Sequence, residues 1–276
     1  MRTIVKPWFA VPAVLFLVAL FVLPIGSFLG RALFDPEPTL RHLERLWDSR
    51  AFEIVTWNTF RLAGLVTLAC LLLGYPLALR IATLRPALAA AILLVLVLSV
   101  WISLLVRNYA WMVLLGRDGL ISKGLLWLGL TDQPRSLLYN EGSVIIAMTH
   151  ILLPYMVIPL VAALRALDPS QLRAAMILGA RPRRVLRRVV WPLSLPGLAA
   201  GTVIVFVMAL GFYVTPALMG GRGQITLAML LDTEINEQLN WGYAAAHALV
   251  LLLATLAILV VYNRRFGLAR LWGGIQ

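Results

Sequence analysis

Apolar residues recur along this chain in blocks too long to be one face of a soluble helix. Six stand out: Trp8 to Leu33, Asn58 to Thr83, Ala87 to Leu105 (open to continuation as far as Leu115), Ser143 to Leu164, Leu195 to Met219 and Tyr243 to Tyr262. A helix needs ~20 apolar residues to cross the ~30 Å hydrocarbon layer of a bilayer. The pattern therefore predicts an all-α membrane protein with six transmembrane helices. Arg2 and Lys6 precede the first block, as in a signal peptide, but the block is too long and has no Ala-x-Ala exit. A retained first span is the expectation. No internal repeat or linker is visible, so residues 1–276 read as a single domain.

The connection marked by Arg80 and Arg85-Pro86 is very short, and the other polar stretches are longer. Residues 31–57 mix both signs of charge and predict a small amphipathic helix from Leu40 to Trp47. Leu120 to Leu130 is apolar but too short to cross, which suggests an interfacial or re-entrant piece. Pro154 and Pro159 fall inside the fourth span, where neighbouring helices must satisfy the backbone they disturb. Gly220 and Gly221 end the fifth span, and a loop carrying Asp232, Glu234 and Glu237 follows.

One segment differs from all others. Residues 168–190 are helix-like and strongly basic, and predict a helix, a tight turn and a second helix. Asp168 is a good N-cap and Pro169 suits the first helical position, where its missing N–H costs nothing. Gln171 stands where a capping box places its partner. Gly179 can take the left-handed conformation that ends a helix, and Pro182 starts the next. On that second helix Arg184, Arg187 and Arg188 share one face, with Val185, Leu186 and Val189 on another.

Charge fixes an orientation. The chain is 61% apolar and 13% charged, with a formal charge of +12. In a soluble protein such a charge would suggest nucleic acid. Here six spans put both termini on one side, together with Arg2, Lys6, Arg80, Arg85, Arg165, Arg173, Arg181, Arg183, Arg184, Arg187, Arg188, Arg264, Arg265 and Arg270, against Asp168 as the lone acid. The other acids lie on the opposite side, among a similar number of bases. The positive-inside rule assigns the termini and the basic segment to the cytoplasm and removes the argument for nucleic acid. Cys70, the one cysteine, lies in an apolar run and excludes an internal disulfide or a Cys-based metal site.

The chemistry for self-powered transport is missing. No carboxylate sits in the middle of a predicted span, and intramembrane ionisable groups usually mark ion-coupled carriers. His150 and His247 are lone imidazoles among apolar residues, suited to hydrogen-bonded packing or to a proton relay. No G-x4-G-K-S/T loop, metal cluster or nucleophile–base pair is present. The chain supplies a path without an energy source, so an external motor is expected, with the basic segment as its handle.

The segment Arg173-Ala-Ala-x3-Gly179-x9-Val189-x-Trp-Pro192 resembles the E-A-A-x3-G-x9-I-x-L-P signature of bacterial binding-protein-dependent ABC importer permeases. Its spacing matches throughout; Arg173 replaces the family's Glu and Trp191 its Leu. Leu105-Val-Arg-Asn-Tyr-Ala-Trp111, Leu153-Pro-Tyr-Met-Val-Ile-Pro159 and Tyr213-Val-Thr-Pro-Ala-Leu-Met-Gly-Gly221 are similar to stretches of the spermidine/putrescine type, first permease of the heteromeric pair.

The resemblance implies a type I ABC importer permease fold with a cytoplasmic coupling helix, in the bacterial inner membrane. It implies a second homologous permease, an ABC ATPase dimer and a periplasmic binding protein as partners, beside membrane lipid. This chain would bind no cofactor; ATP and Mg would be used by the partner ATPase. Coupling would fall to Arg173, Ala174, Ala175, Gly179, Ala180, Pro182 and Pro192. A basic interfacial helix on anionic lipid is the other reading of this segment. A path for a small cationic amine would draw on Tyr109, Trp111, Tyr155, Tyr213, Thr215 and Asp232. The aromatics among them serve equally as interface-belt or packing residues. Asp118, Asp232, Glu234 and Glu237 would form an acidic outer vestibule, or simply the solvated outer half of the protein. Another organic solute (an amino compound, opine or phosphonate), an ATP-independent carrier and a purely structural scaffold stay open as alternatives.

Overall fold

The computed structural model describes residues 11–35 and 37–266. Expectations placed on Arg2, Lys6, Trp8 and Arg270 lie outside the described residues. The described residues form helices joined by turns and short connections, and their one β-bridge joins Phe34 and Pro38. In chain order the helices are α1 (Val11–Gly30, with a π-turn at Val18–Val22), α2 (Arg41–Trp47), α3 (Arg50–Thr83), α4 (Pro86–Trp101), α5 (Leu104–Leu115) and α6 (Leu120–Trp127). Then follow α7 (Glu141–Arg165), α8 (Pro169–Ile177), α9 (Pro182–Leu210), α10 (Val214–Met219), α11 (Leu227–Asn236) and α12 (Trp241–Phe266). Helices α1, α3, α7, α9 and α12 are long and apolar enough to cross a membrane, and counting the bent α4–α6 run gives six crossings.

Several boundaries depart from the sequence expectation. Helix α3 starts at Arg50, eight residues before the block at Asn58. The Ser49 hydroxyl accepts from the Phe52 amide and carries the helix into the polar stretch. The third block does not continue to Leu115 as one span. Ile102 is extended, Ser103 precedes the next helix as its N-cap residue, and the run beyond them turns by 100°. The fifth block ends at Leu210; Gly211, Phe212 and Tyr213 separate it from the short α10. Asp232 and Glu234 are not in a loop but on α11.

The second helix of the basic segment is no separate element either. It continues into the fifth span as the 29-residue α9, through a π-turn at Leu186–Val190. Pro192 explains the turn. It has no N–H for the carbonyl one turn back, and a π-turn, here closed by Trp191 N–H to Leu186 O, absorbs such a defect within a helix. The turn also shifts the helical phase, so Val185 is buried, Val189 is half-buried and Leu186 is exposed.

Contacts divide the chain into two compact units, one running to Ile54 and including Met229–Ala254, the other holding Val55–Ala228 and the chain from Thr255. In the larger unit α7 is the central helix. Met148, Leu152 and Met156 of α7 are fully buried with Val66 and Cys70 of α3, Leu115 of α5, Val205 and Leu210 of α9 and Met219 of α10. Such cores rest on close packing, because lipid is as apolar as leucine and water expulsion contributes little between helices. The closest packing is α9 on α7. A Cβ at Gly201 would stand 2.9 Å from Met156 Sδ and 3.0 Å from its carbonyl, and one at Gly197 would overlap Ala163 Cβ.

At the acid-bearing end of α7, Asn140 and Ser143 form a reciprocal capping box. Ser143 Oγ also donates to Met219 O at 2.9 Å, tying α7 to α10. Arg61 pairs with Glu141, but both side chains are partly exposed and such pairs contribute little. In the smaller unit, Phe28 and the Arg31 guanidinium contact Trp241, and Phe52, His247 and Tyr243 stack edge-on. None of the apolar window of α1 is buried within the chain, so lipid or another subunit must cover it.

Candidate functional site

The basic segment forms as a short capped helix and a turn. Asp168 caps α8, but with Ser170 rather than Gln171: its carboxylate accepts from the Ser170 amide at 2.8 Å and from the hydroxyl at 2.6 Å. No capping box with Gln171 forms. These two bonds hold the Asp168 carboxyl below its ordinary range. A lowered acid stabilises its fold above the ordinary carboxylate range and loses that contribution as pH falls through its own lowered value. We therefore expect amide exchange at Ser170 to be flat from neutral pH down to about pH 5 after correction for intrinsic rates. It should rise throughout that range in Asp168→Ala, read by hydrogen–deuterium exchange.

The other end of α8 closes as a Schellman motif. Gly179 adopts φ +78°, its amide donates to Met176 O at 3.0 Å, and the Ala180 amide donates to Ala175 O at 3.1 Å. No other atom lies near a Cβ built at Gly179, so its requirement is the backbone conformation rather than space. Leu172 and Ala175 are half-buried, while Arg173, Ala174, Gly179 and Pro182 are exposed. Behind α8 lies an apolar cavity of about 510 Å³, walled by Leu79 and Arg80 of α3, Leu164 of α7, Leu172 of α8 and Leu186 and Val190 of α9. The most exposed apolar side chains of the segment are Ile177 (85%) and Leu178 (86%). Sequence reasoning passed over both. Their signal was available, since the last turn of a capped helix outside the membrane should be polar, and here it is not.

The path residues divide. Trp111 and Tyr155 both pack against the large core cluster. Tyr109 is exposed on the other side of α5, and Tyr213 is exposed just before α10. Thr215 is fully buried, and its hydroxyl has no partner. Asp232, half-buried, belongs to the other unit and accepts from Asn236 Nδ2 at 2.7 Å.

Trp111 Nε1 donates to His150 Nδ1 at 3.2 Å, joining α5 to α7. An indole only donates, so this bond assigns the lone pair to Nδ1 and leaves Nε2 to carry the hydrogen of the neutral ring. His247 is fully buried, with Nδ1 on Tyr243 O at 2.8 Å and Nε2 without a hydrogen-bond partner. Residues the sequence reading missed lie beside these. Asn108 Oδ1 and Thr149 Oγ1 are buried without a hydrogen-bond partner, as is Arg107 Nε. Unpaired polar atoms are costly inside a membrane and mark places where function outweighs packing.

The class follows from the architecture: a polytopic helical membrane protein with a capped basic helix–turn outside its spans. Residues 1–265 match the family described as binding-protein-dependent transport system inner membrane component, and the chain belongs to it. It is a multi-pass inner-membrane permease component of an ABC importer, and not an enzyme.

Among its relatives is the spermidine/putrescine transport system permease protein PotB of Escherichia coli (strain K12), 34% identical over 226 residues, 82% of either chain. The putative 2-aminoethylphosphonate transport system permease protein PhnU of Salmonella paratyphi A is 30% identical over 261 residues, 93% of this chain and 89% of that one. A bacterial alginate ABC transporter in complex with its pentasaccharide-bound periplasmic protein superposes with a TM-score of 0.79 at 19% identity, covering 96% of both chains. The MetNI methionine ABC transporter does so at 0.58 and 17%, covering 76% and 92%. These structural likenesses establish the type I importer permease fold.

Proposed function

We propose that this chain forms half of the translocation path for a small organic amine of the putrescine or spermidine kind, in an ATP-driven importer. The observation that carries this reading is its kinship with PotB over 82% of both chains. The other half of the path is a second homologous permease. An ABC ATPase pair uses ATP and Mg, and a periplasmic binding protein delivers the solute. Both termini and α8 face the cytoplasm, in keeping with the basic residues gathered on that side.

In this mechanism α8 and its turn seat in a groove of the ATPase. Ile177 and Leu178 enter it, while Ala174 and Gly179 let backbone approach backbone. Closure of the ATPases then pushes α8 and, through Leu172 and the continuous α9, the fifth span. Arg173 offers a positive charge at the groove, which calls for an acid on the ATPase. On the path, Tyr109 and Tyr213, the exposed aromatics of the four, offer π faces to an ammonium.

PhnU supports a second reading, an aminoalkyl phosphonate as solute. Uptake of labelled putrescine by the full transporter with its binding protein in vesicles separates the two. We expect unlabelled spermidine to compete and 2-aminoethylphosphonate not to. Uptake of the phosphonate without uptake of polyamine would move the assignment to the second reading.

A further inference from the structure

The smaller unit holds a cleft of about 430 Å³, formed where α2 meets α3 and α11 meets α12. Arg45, Asp48, Ser49 and Ala51 line one side, and Leu230, Glu234, Gln238 and Tyr243 the other. Glu234 is the unusual member. It sits on α11, a ten-residue helix outside the spans, and is only 4% exposed. Its Oε2 is buried with no hydrogen-bond partner. Burial pushes its carboxyl up, with the Arg45 charge partly opposing.

Arg45 does not take up that oxygen. Its guanidinium lies over the Tyr243 ring, 4.5 Å from the centroid, and the only ion pair among the described residues joins Arg61 and Glu141. Whichever protonation state Glu234 takes, Oε2 has nothing to bond. A buried carboxylate in that condition is costly unless something pairs with it. The lining thus holds one guanidinium, that of Arg45, beside the carboxyl groups of Asp48 and Glu234.

We infer that this cleft receives one alkylammonium group, with Glu234 as its counter-charge. The three hydrogens of an ammonium need three acceptors, and Glu234, the Ser49 hydroxyl and the Gln238 carbonyl supply them. Ala51 and Leu230 give the adjoining methylenes an apolar wall. A metal ion fits less well, because no three metal-ligating side chains come together among the described residues. The amine belongs either to the solute itself or to a lysine of the protein that delivers it. The names of both relatives above carry an amine, so the cleft would serve either solute reading; its place on the outer face rests on the proposed orientation.

The test uses the full transporter in nanodiscs, with two arms. In the first, binding of labelled putrescine is measured without the delivery protein. In the second, the docking affinity of the unliganded delivery protein is measured. Glu234→Gln should weaken binding roughly tenfold in one arm, the size of a lost charge-assisted hydrogen bond, with basal ATP hydrolysis unchanged. Loss in the first arm assigns the amine to the solute, and loss in the second assigns it to a lysine. Where Glu234→Gln fails to assemble, Asp48→Lys at the exposed rim decides in the same way. Both arms within about twofold of the unmodified transporter would overturn the inference, since a charge-assisted contact contributes more than that. A transporter that imports no amine, yet loses docking in the variant, overturns the solute reading and leaves the cleft standing.

Discussion

Changing Ile177 and Leu178 together to aspartate should stop ATP-driven uptake while leaving the chain folded. Both side chains are about 85% exposed, so the fold gains almost nothing from them. An apolar pair left in water at the end of a Schellman-capped helix has a use only if something covers it. Burying an isoleucine or leucine fully contributes about 1.5–3 kcal/mol, and burying an unpaired carboxylate instead costs several kcal/mol. The double change thus removes a contact and adds a penalty. We expect uptake in reconstituted vesicles to fall at least ~100-fold. Helix content and the yield of the purified chain should stay as they were. A basic lipid-surface helix would behave differently, because its binding would depend on Arg184, Arg187 and Arg188 and respond to anionic lipid content.

Gly201→Leu should have the opposite profile: the protein should fail to accumulate before transport can be measured. A Cβ at this position meets the sulfur, the carbonyl and the Cα of Met156 at 2.9–3.2 Å. Two of those atoms are backbone of the central helix, which no rotamer change can move. Inserting atoms into a packed core costs ~1–3 kcal/mol even where side chains can adjust. Here α9 must withdraw from α7 along its length. We expect steady-state levels in membranes to drop at least ~10-fold, measured by quantitative immunoblot. Gly179→Ala is the useful contrast. It strains a single backbone position in open space, at about 1 kcal/mol, and should affect transport far more than abundance.

Much of this was legible in the sequence. Block lengths gave the spans, because a bilayer sets length more strictly than any soluble core does. Gly179 announced its positive φ by following a helix pattern and preceding a proline. The spacing from Arg173 to Pro192 carried the family. What escaped notice depended on contacts no local pattern encodes. Ser49 extended α3 into a stretch whose charge argued for a loop. The break at Ile102–Ser103 falls in an apolar run with no glycine or proline to mark it. In the sequence Pro192 marks the end of a motif, whereas in the structure its missing N–H falls within a continuous helix behind a π-turn. Glu234 looked like one of several loop acids until α11 turned it inward. The Trp111–His150 bond joins residues 39 positions apart, and nothing in either neighbourhood predicts it.

A path driven by a separate ATPase is tested most directly by reconstituting the chain into vesicles in two ways: alone, and with the proposed second permease and ATPases. Labelled putrescine and the binding protein are supplied outside, and ATP within. Uptake should need the complete assembly and ATP, and should ignore proton and sodium gradients. Gradient-driven uptake by this chain alone, without ATP, would contradict it.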